Sequence, residues 1–206
     1  MNLTPPANSA EVPTQSVEQP KPRSTLTLWI LLAVCVLPFA ASTALYVLAP
    51  PKARMNYGEL IEPHPLAEFS VARLDGKSLG LADLRGKWTL IQVDGAECGN
   101  PCRDKLYKMR QVRLAQGKNM DRVQRIWLIT GDGLVDPLVQ QAFEGTIMAR
   151  SGDGRFLRQL PVSASQDGHI WLIDPLGNVM LRYPPQADPV GIKNDLVRLL
   201  KVSRID

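Results

Sequence analysis

Two cysteines four residues apart carry the chemistry that this sequence predicts most directly. Cys98 and Cys102 follow the apolar run 88–93 and precede a polar segment with helical periodicity. This spacing puts both thiols where a strand ends and a helix begins. Residues i and i+4 lie on one face of a helix, so we expect the two sulfurs to point the same way. The unpaired N–H groups and the dipole of a helix N-terminus favour the thiolate form of a cysteine.

Three uses of this thiol pair remain open from the residues alone. In a redox role, Cys98 is the more exposed, attacking thiol, and Cys102 is the more buried thiol that resolves a mixed disulfide. In a metal role, the two soft thiolates suit Cu(I). A structural disulfide closes so small a loop that little entropy is removed from the unfolded chain, which disfavours this third use.

Composition restricts the class of protein. The chain has 206 residues, enough for one domain of ordinary size with additional segments. Its formal net charge is only +4, and no basic cluster is interleaved with aromatic residues, so nucleic-acid binding is not expected. Three cysteines do not make a disulfide scaffold. Phosphate-binding glycine loops, nucleophilic serine elbows and metalloprotease helices are absent from the sequence.

The N-terminal segments predict a membrane anchor. Residues 1–23 are rich in Pro, Ser, Thr, Gln and Glu and predict a disordered tail. Residues 24–49 predict a transmembrane helix, because the uncharged apolar run 26–48 is long enough to cross a hydrocarbon core of about 30 Å. A cleaved signal peptide is the alternative, but its apolar region is typically about 7–15 residues long. Residues 50–67 contain four prolines and predict an extended linker.

The orientation of the anchor depends on the thiols more than on flanking charge. Lys21 and Arg23 precede the apolar run, and Lys52 and Arg54 follow it, so the positive-inside rule is nearly balanced. Paired thiols more often have a use outside the reducing cytosol. We therefore expect a single-pass protein of the inner or plasma membrane whose C-terminal domain lies outside the cytosol, in the periplasm.

Residues 68–206 predict an α/β fold, a thioredoxin-like mixed sheet with flanking helices. A hairpin is expected over 69–81, with its turn at Asp75 and Gly76. Strands alternate with helices and end in an antiparallel pair, which predicts helices on both faces of the sheet. Residues 144–168 show little periodicity and are predicted to be mainly loop. The core strands are expected at 88–93, 123–130, 169–174 and 179–183, and the helices after Cys98, at 136–143 and at 189–202.

Basic residues recur along the helix predicted after the thiol pair. They predict a solvated face, with contact to anionic lipid or an acidic partner as the alternative. The residues are Arg103, Lys105, Lys108, Arg110, Arg113 and Lys118.

Several short motifs of residues 68–206 match a known pattern. They are Phe69, Asp75-Gly76, Leu84-Arg-Gly86-Lys87, the pair Cys98 and Cys102 with three residues between them, and Leu172-Ile-Asp174-Pro-Leu-Gly177. With these motifs the chain resembles the Sco/SenC family of thioredoxin-like, membrane-tethered proteins. The resemblance implies a role in assembling the copper centre of cytochrome c oxidase, by delivering copper or by reducing the copper-site cysteines. It implies as partner an oxidase subunit or a copper or thiol relay protein.

The copper ligands that the resemblance implies are Cys98, Cys102 and a histidine. Sco-type proteins carry that histidine about six residues before the Leu-Ile-Asp-like strand, where this chain has Gln166. His169 lies three residues later, so the histidine position is degenerate and His169 is the candidate ligand.

Two other functions remain open. A general membrane-anchored thiol–disulfide oxidoreductase similar to TlpA is the first, although such proteins carry two residues between their cysteines. They also carry a proline just before the third core strand, where this chain has Gly168. A thioredoxin-like interaction module with vestigial, non-catalytic thiols is the second.

Overall fold

The computed structural model describes residues 25–48, 56–161 and 168–203. The chain divides into two compact units, residues 1–53 and 54–206. The tail predicted over residues 1–23 lies outside the described residues.

The N-terminal unit contains one apolar helix, α1, over Thr25–Leu48. Its sequence has no charged residue, and the large apolar side chains described along it are exposed to the surroundings. Residues 25–45 are long and apolar enough to cross a membrane. Because an apolar helix exposed on all sides is stable in lipid rather than in water, α1 fits a single-pass membrane anchor.

The second unit is built on a six-stranded mixed sheet. Its strands are β1 (Glu59–Pro65), β4 (Trp88–Gly95), β5 (Val123–Thr130), β6 (Ile147–Arg150), β7 (Ile170–Ile173) and β8 (Asn178–Tyr183). They lie in the order β1-β8-β7-β4-β5-β6. Strands β4, β5 and β6 are parallel to one another, whereas β7 is antiparallel to β4, and β8 is antiparallel to both β7 and β1. A separate hairpin pairs β2 (Ser70–Ala72) with β3 (Ser78–Gly80).

The sheet is covered on both faces, as the sequence predicts. One face packs against α3 (Asn100–Leu114), α4 (Pro137–Ala142) and α5 (Pro189–Val202). The other face packs against the hairpin, the short helix α2 (Leu81–Leu84) and the stacked rings of Phe69 and Phe156. Burial on both faces explains why β4 and β5 read as nearly continuous apolar runs. The thioredoxin-like mixed sheet with flanking helices is confirmed.

Two segments differ from the sequence prediction. Residues 59–65, expected in the linker, form β1 on the edge of the sheet, where Pro63 and Pro65 are tolerated because an edge strand leaves some N–H positions unpaired. Residues 147–150, expected in a loop, form β6, which is too short for its apolar and polar residues to show a period.

A buried carboxylate attaches residues 57 and 58 to α5. Asp195 is 1% exposed, and its two oxygens accept hydrogen bonds from the backbone N–H groups of Tyr57 at 2.9 Å and Gly58 at 2.8 Å. The Tyr57 hydroxyl in turn accepts a hydrogen bond from the Asp188 N–H at 2.8 Å. An ideal Cβ at Gly191 would collide with the Tyr57 ring. The packed domain therefore includes residues well before position 68.

Candidate functional site

Cys98 and Cys102 are joined in a disulfide at the point where β4 gives way to α3. Their Cα atoms lie 5.0 Å apart. Strand β4 ends at Gly95 and α3 begins at Asn100, with Gly99 as its N-cap and Pro101 in its first turn. A proline is tolerated there because the N–H that it lacks would have no helical partner. The two predicted thiols are therefore brought together as one site.

Cys98 lies outside the helix, which corrects the expectation that both cysteines share a helix face. Its φ is +39°, in the left-handed region that non-glycine residues seldom occupy. This turn, and not helical spacing, directs the Cys98 side chain back towards Cys102. The Cys98 carbonyl accepts a hydrogen bond from Arg103 Nε at 3.0 Å, which holds the turn against the first turn of α3.

The predicted difference in exposure between the two cysteines is absent. Cys98 is 2% exposed and Cys102 is 3% exposed. A shallow recess of about 250 Å³ opens beside them and is lined by Asp94, Gly95, Glu97 and Gly99 together with the disulfide. A partner thiol therefore has to approach the sulfurs through this recess or after a small opening of the turn.

Two buried polar groups lie next to the disulfide and were not predicted from the sequence. Gln92 is fully buried on β4, and its Nε2 lies 3.4 Å from both the carbonyl oxygen and the Sγ of Cys102. Lys105 on α3 is 1% exposed, and its Nζ lies 2.9 Å from Asp94 Oδ2. Two features of the sequence could have indicated these groups. Gln92 is a polar residue in the apolar run of β4, and Lys105 lies three positions after Cys102, on the buried side of α3.

Several basic residues of the predicted solvated face bind the protein itself. The prediction is wrong for the buried Lys105, whereas Arg103, Arg110 and Lys118 are exposed as expected. Lys105 is buried in its ion pair. Lys108 donates to the carbonyl of Pro185, Arg110 to that of Ala142 and Arg113 to that of Val123. Each of these side chains thus connects α3 to a neighbouring segment.

His169 lies next to the strand that leads to the cysteines, because β7 pairs with β4 with Ile170 opposite Gln92. It lies just before β7, with its ring centroid 5.8 Å from that of Trp171. Within the described ranges, no group of three or more His, Cys, Asp or Glu residues is arranged to hold a metal ion. Sulfurs joined in a disulfide also cannot act as two thiolate ligands. The donor set present here therefore does not fit a three-ligand copper site, and Gln166 lies outside the described residues.

The mixed sheet, the flanking helices and the disulfide between the first core strand and its helix define a thioredoxin-like protein. The chain belongs to the family described as "transmembrane-like, thioredoxin-like, C-terminal domain", whose model matches residues 88–203. No curated relative matches the chain in sequence.

Solved structures with the same fold include Sco proteins and a thiol–disulfide oxidoreductase. Bradyrhizobium japonicum ScoI with copper bound is 21% identical, with 66% of this chain and 99% of that chain covered and a TM-score of 0.50. Yeast Sco1 with copper bound is 14% identical, with coverages of 69% and 96% and a TM-score of 0.56. The thioredoxin domain of a Bacteroides vulgatus thiol–disulfide oxidoreductase is 15% identical, with coverages of 68% and 99% and a TM-score of 0.50. The resemblance to Sco/SenC proteins is confirmed at the level of the fold.

Proposed function

We propose that this protein is a membrane-tethered thiol–disulfide exchange protein in which Cys98 and Cys102 are the catalytic residues. The observation that carries the proposal is the disulfide between them at the strand-to-helix junction. Its four-residue separation closes too small a loop to stabilise the fold much through chain entropy. The Cys98–Cys102 disulfide thus stabilises the fold little and lies beside an open recess. A disulfide that forms and is reduced during exchange with other thiols explains both features better than a structural disulfide does.

In this role the reduced protein transfers two electrons to a client disulfide. The Cys98 thiolate attacks one client sulfur and forms a mixed disulfide, and the other client sulfur leaves as a thiolate that takes a proton from solvent. Cys102 then attacks Cys98 Sγ, releases the second client thiol and closes the Cys98–Cys102 bond. The burial of Cys102 suits the resolving step, because that step needs no contact with the client.

The proposed clients are the copper-site cysteines of a cytochrome c oxidase subunit, or a copper or thiol relay protein. The fold shared with copper-bound ScoI and Sco1 fits this choice but is shared with a thiol–disulfide oxidoreductase as well. The three residues between Cys98 and Cys102, where TlpA-like proteins carry two, favour the choice over a general oxidoreductase. The proposed location is the inner or plasma membrane, with α1 as the single span and the thioredoxin-like domain in the periplasm. A C-terminal alkaline phosphatase fusion tests the orientation, because that reporter is active only outside the cytosol.

Copper delivery is the second candidate function, favoured by the copper bound to ScoI and Sco1. After reduction, Cys98 and Cys102 supply two soft thiolates for Cu(I), which is then cargo handed to the client. Because His169 is not grouped with the cysteines, a third ligand has to come from a rearrangement around His169 or from the partner.

One experiment separates these functions. The full-length protein in detergent is reduced and mixed with the disulfide form of the oxidase copper-binding subunit, and client thiols are counted with time. Cys98→Ser abolishes the release of client thiols, and Cys102→Ser stops at the mixed disulfide after one thiol, whereas Cys35→Ser, which removes the free cysteine of α1, leaves the reaction unchanged. A parallel titration of the reduced protein with Cu(I), with His169→Ala as a variant, tests delivery. Failure of both assays would leave a non-catalytic interaction module.

A further inference from the structure

Gln92 is an unusual residue for its position in the sheet. It lies in the middle of β4, paired with Trp127 of β5 and Ile170 of β7, in a strand whose other inward positions are mainly apolar. Its side chain has no exposure and faces α3. A buried amide is retained at low energetic cost only where its donors and acceptor find partners.

The Gln92 amide is directed at one sulfur of the disulfide. Nε2 lies 3.4 Å from Cys102 Sγ and 3.4 Å from the Cys102 carbonyl oxygen, so its two hydrogens have one acceptor each. Cys98 is held differently, because Arg103 Nε donates to its carbonyl oxygen. The two sulfurs therefore differ in hydrogen bonding although they are equally buried.

The acceptor end of the same amide is unsatisfied in the oxidised protein. Gln92 Oε1 is buried and has no hydrogen-bond partner among the residues that the structure describes. A disulfide sulfur has no hydrogen to donate, whereas a thiol S–H donates weakly and a thiolate accepts strongly from an amide N–H. The Cys102 thiolate thus pairs with the Gln92 N–H better than the disulfide sulfur does, and a Cys102 thiol pairs with Oε1 once the amide has turned over.

We propose that Gln92 is a positioning residue that makes Cys102 the leaving sulfur and stabilises the reduced state of the pair. When the oxidised protein is re-reduced, a thiolate of the reductant, its proton already lost to solvent, attacks Cys98 Sγ. The Cys98–Cys102 bond breaks, and its electron pair passes to Cys102 Sγ, beside the Gln92 N–H. The reverse step closes the bond from the same arrangement. This inference rests on the thiol exchange proposed above, and not on the identity of the client.

The test is the equilibrium of the full-length protein in detergent with glutathione buffers, read as the fraction of Cys98–Cys102 disulfide after thiol alkylation and mass measurement. Gln92→Met keeps an unbranched side chain of similar length and removes the amide. We expect its equilibrium to shift about tenfold towards the disulfide, which corresponds to about 30 mV in potential. Opening of the disulfide by glutathione should slow by about the same factor.

Thr89→Val is the matched control, because Thr89 is also fully buried and polar on β4 but bonds Gln124 rather than a cysteine. Gln92→Leu is a second apolar variant in case Gln92→Met folds poorly, and the unfolding transition of each variant is recorded. A shift of less than twofold in both Gln92 variants, or an equal shift in Thr89→Val, would overturn the inference.

Failure of this inference is distinguishable from failure of the proposed function. If wild-type protein exchanges with glutathione but Gln92→Met does not alter the equilibrium, thiol exchange stands and the role of Gln92 is wrong. If the wild-type disulfide resists glutathione and dithiothreitol in the folded protein, exchange itself is wrong, and with it this inference.

Discussion

Replacing Lys105 by methionine tests how α3 is held against the sheet beside the disulfide. The lysine side chain is 2% exposed, and its Nζ lies 2.9 Å from Asp94 Oδ2, on a carboxylate that is 12% exposed. Methionine keeps an unbranched apolar stem of similar length, so packing against α3 changes little. The substitution therefore removes the charge and leaves Asp94 buried without its lysine.

The expected loss follows from the geometry. At an effective dielectric constant of about 20, unit charges at this separation attract by about 6 kcal/mol. Desolvation of both groups offsets much of this attraction, and removing one partner of a buried pair typically costs about 3–5 kcal/mol. Because Asp94 also lines the recess and retains some solvent access, we expect a loss of about 3 kcal/mol.

Lys108 provides the matched comparison on the same helix. It pairs with Asp104 at 2.7 Å, but the Asp104 side chain is 54% exposed. Exposed pairs are typically worth about 0–1 kcal/mol, so the charge removed in Lys108→Met contributes little. The carbonyl of Pro185 loses a donor as well, which adds about 1 kcal/mol at most.

The assay is urea unfolding of the full-length protein in detergent, followed by the fluorescence of its buried tryptophans. In a double-mutant cycle, Lys105→Met with Asp94→Asn should be more stable than Lys105→Met alone, because the buried carboxylate that lost its lysine is gone. Equal losses for Lys105→Met and Lys108→Met, or strictly additive effects in the cycle, would refute the reasoning.

Three further predictions concern the second unit. Burial, followed by the charge of nearby Asp195, raises the pKa of Tyr183, so the folded chain keeps the tyrosine proton at a pH where the unfolded chain ionises, above about pH 10. The free energy of unfolding should therefore fall as the pH rises past that value. Tyr183→Phe should reduce this fall when unfolding is measured against pH, whereas Tyr107→Phe, at an exposed site, should not. Gly191→Ala should lower the urea midpoint despite the higher helix propensity of alanine, because its Cβ would contact the Tyr57 ring; in a Tyr57→Ala background the same change should be neutral or stabilising. Asp136→Ala removes the side-chain cap that accepts from the Leu138 N–H and should lower the free energy of unfolding by about 1 kcal/mol, as read by the same unfolding assay.

The elements that sequence periodicity predicts well are those whose burial is uniform. β5 is found over Val123–Thr130 as expected, because both faces of a central strand select apolar residues. α4 begins after Asp136 as expected, because an acidic cap followed by proline is a local signal that needs no tertiary contact. The cysteine pair was likewise predicted from local sequence.

The features that were missed depend on contacts between distant residues. β1 forms because it pairs with β8, a strand more than 100 positions later in the chain, and its prolines are typical of a linker. Lys105 looks like one more basic residue of an exposed face until Asp94 of β4 is placed beside it. The left-handed turn at Cys98 has no sequence signal in a residue other than glycine, so the burial of that thiol could not be anticipated.

The two edges of the sheet are protected against pairing with other chains. At one edge, β1 carries Pro63 and Pro65, which have no N–H to offer a further strand. At the other edge, the segment that follows β2 pairs with β6. The Leu74 N–H donates to the Met148 carbonyl, and Arg73 forms a bridge with Ala149. Edges protected in this way resist strand exchange and amyloid-like pairing between copies of the chain.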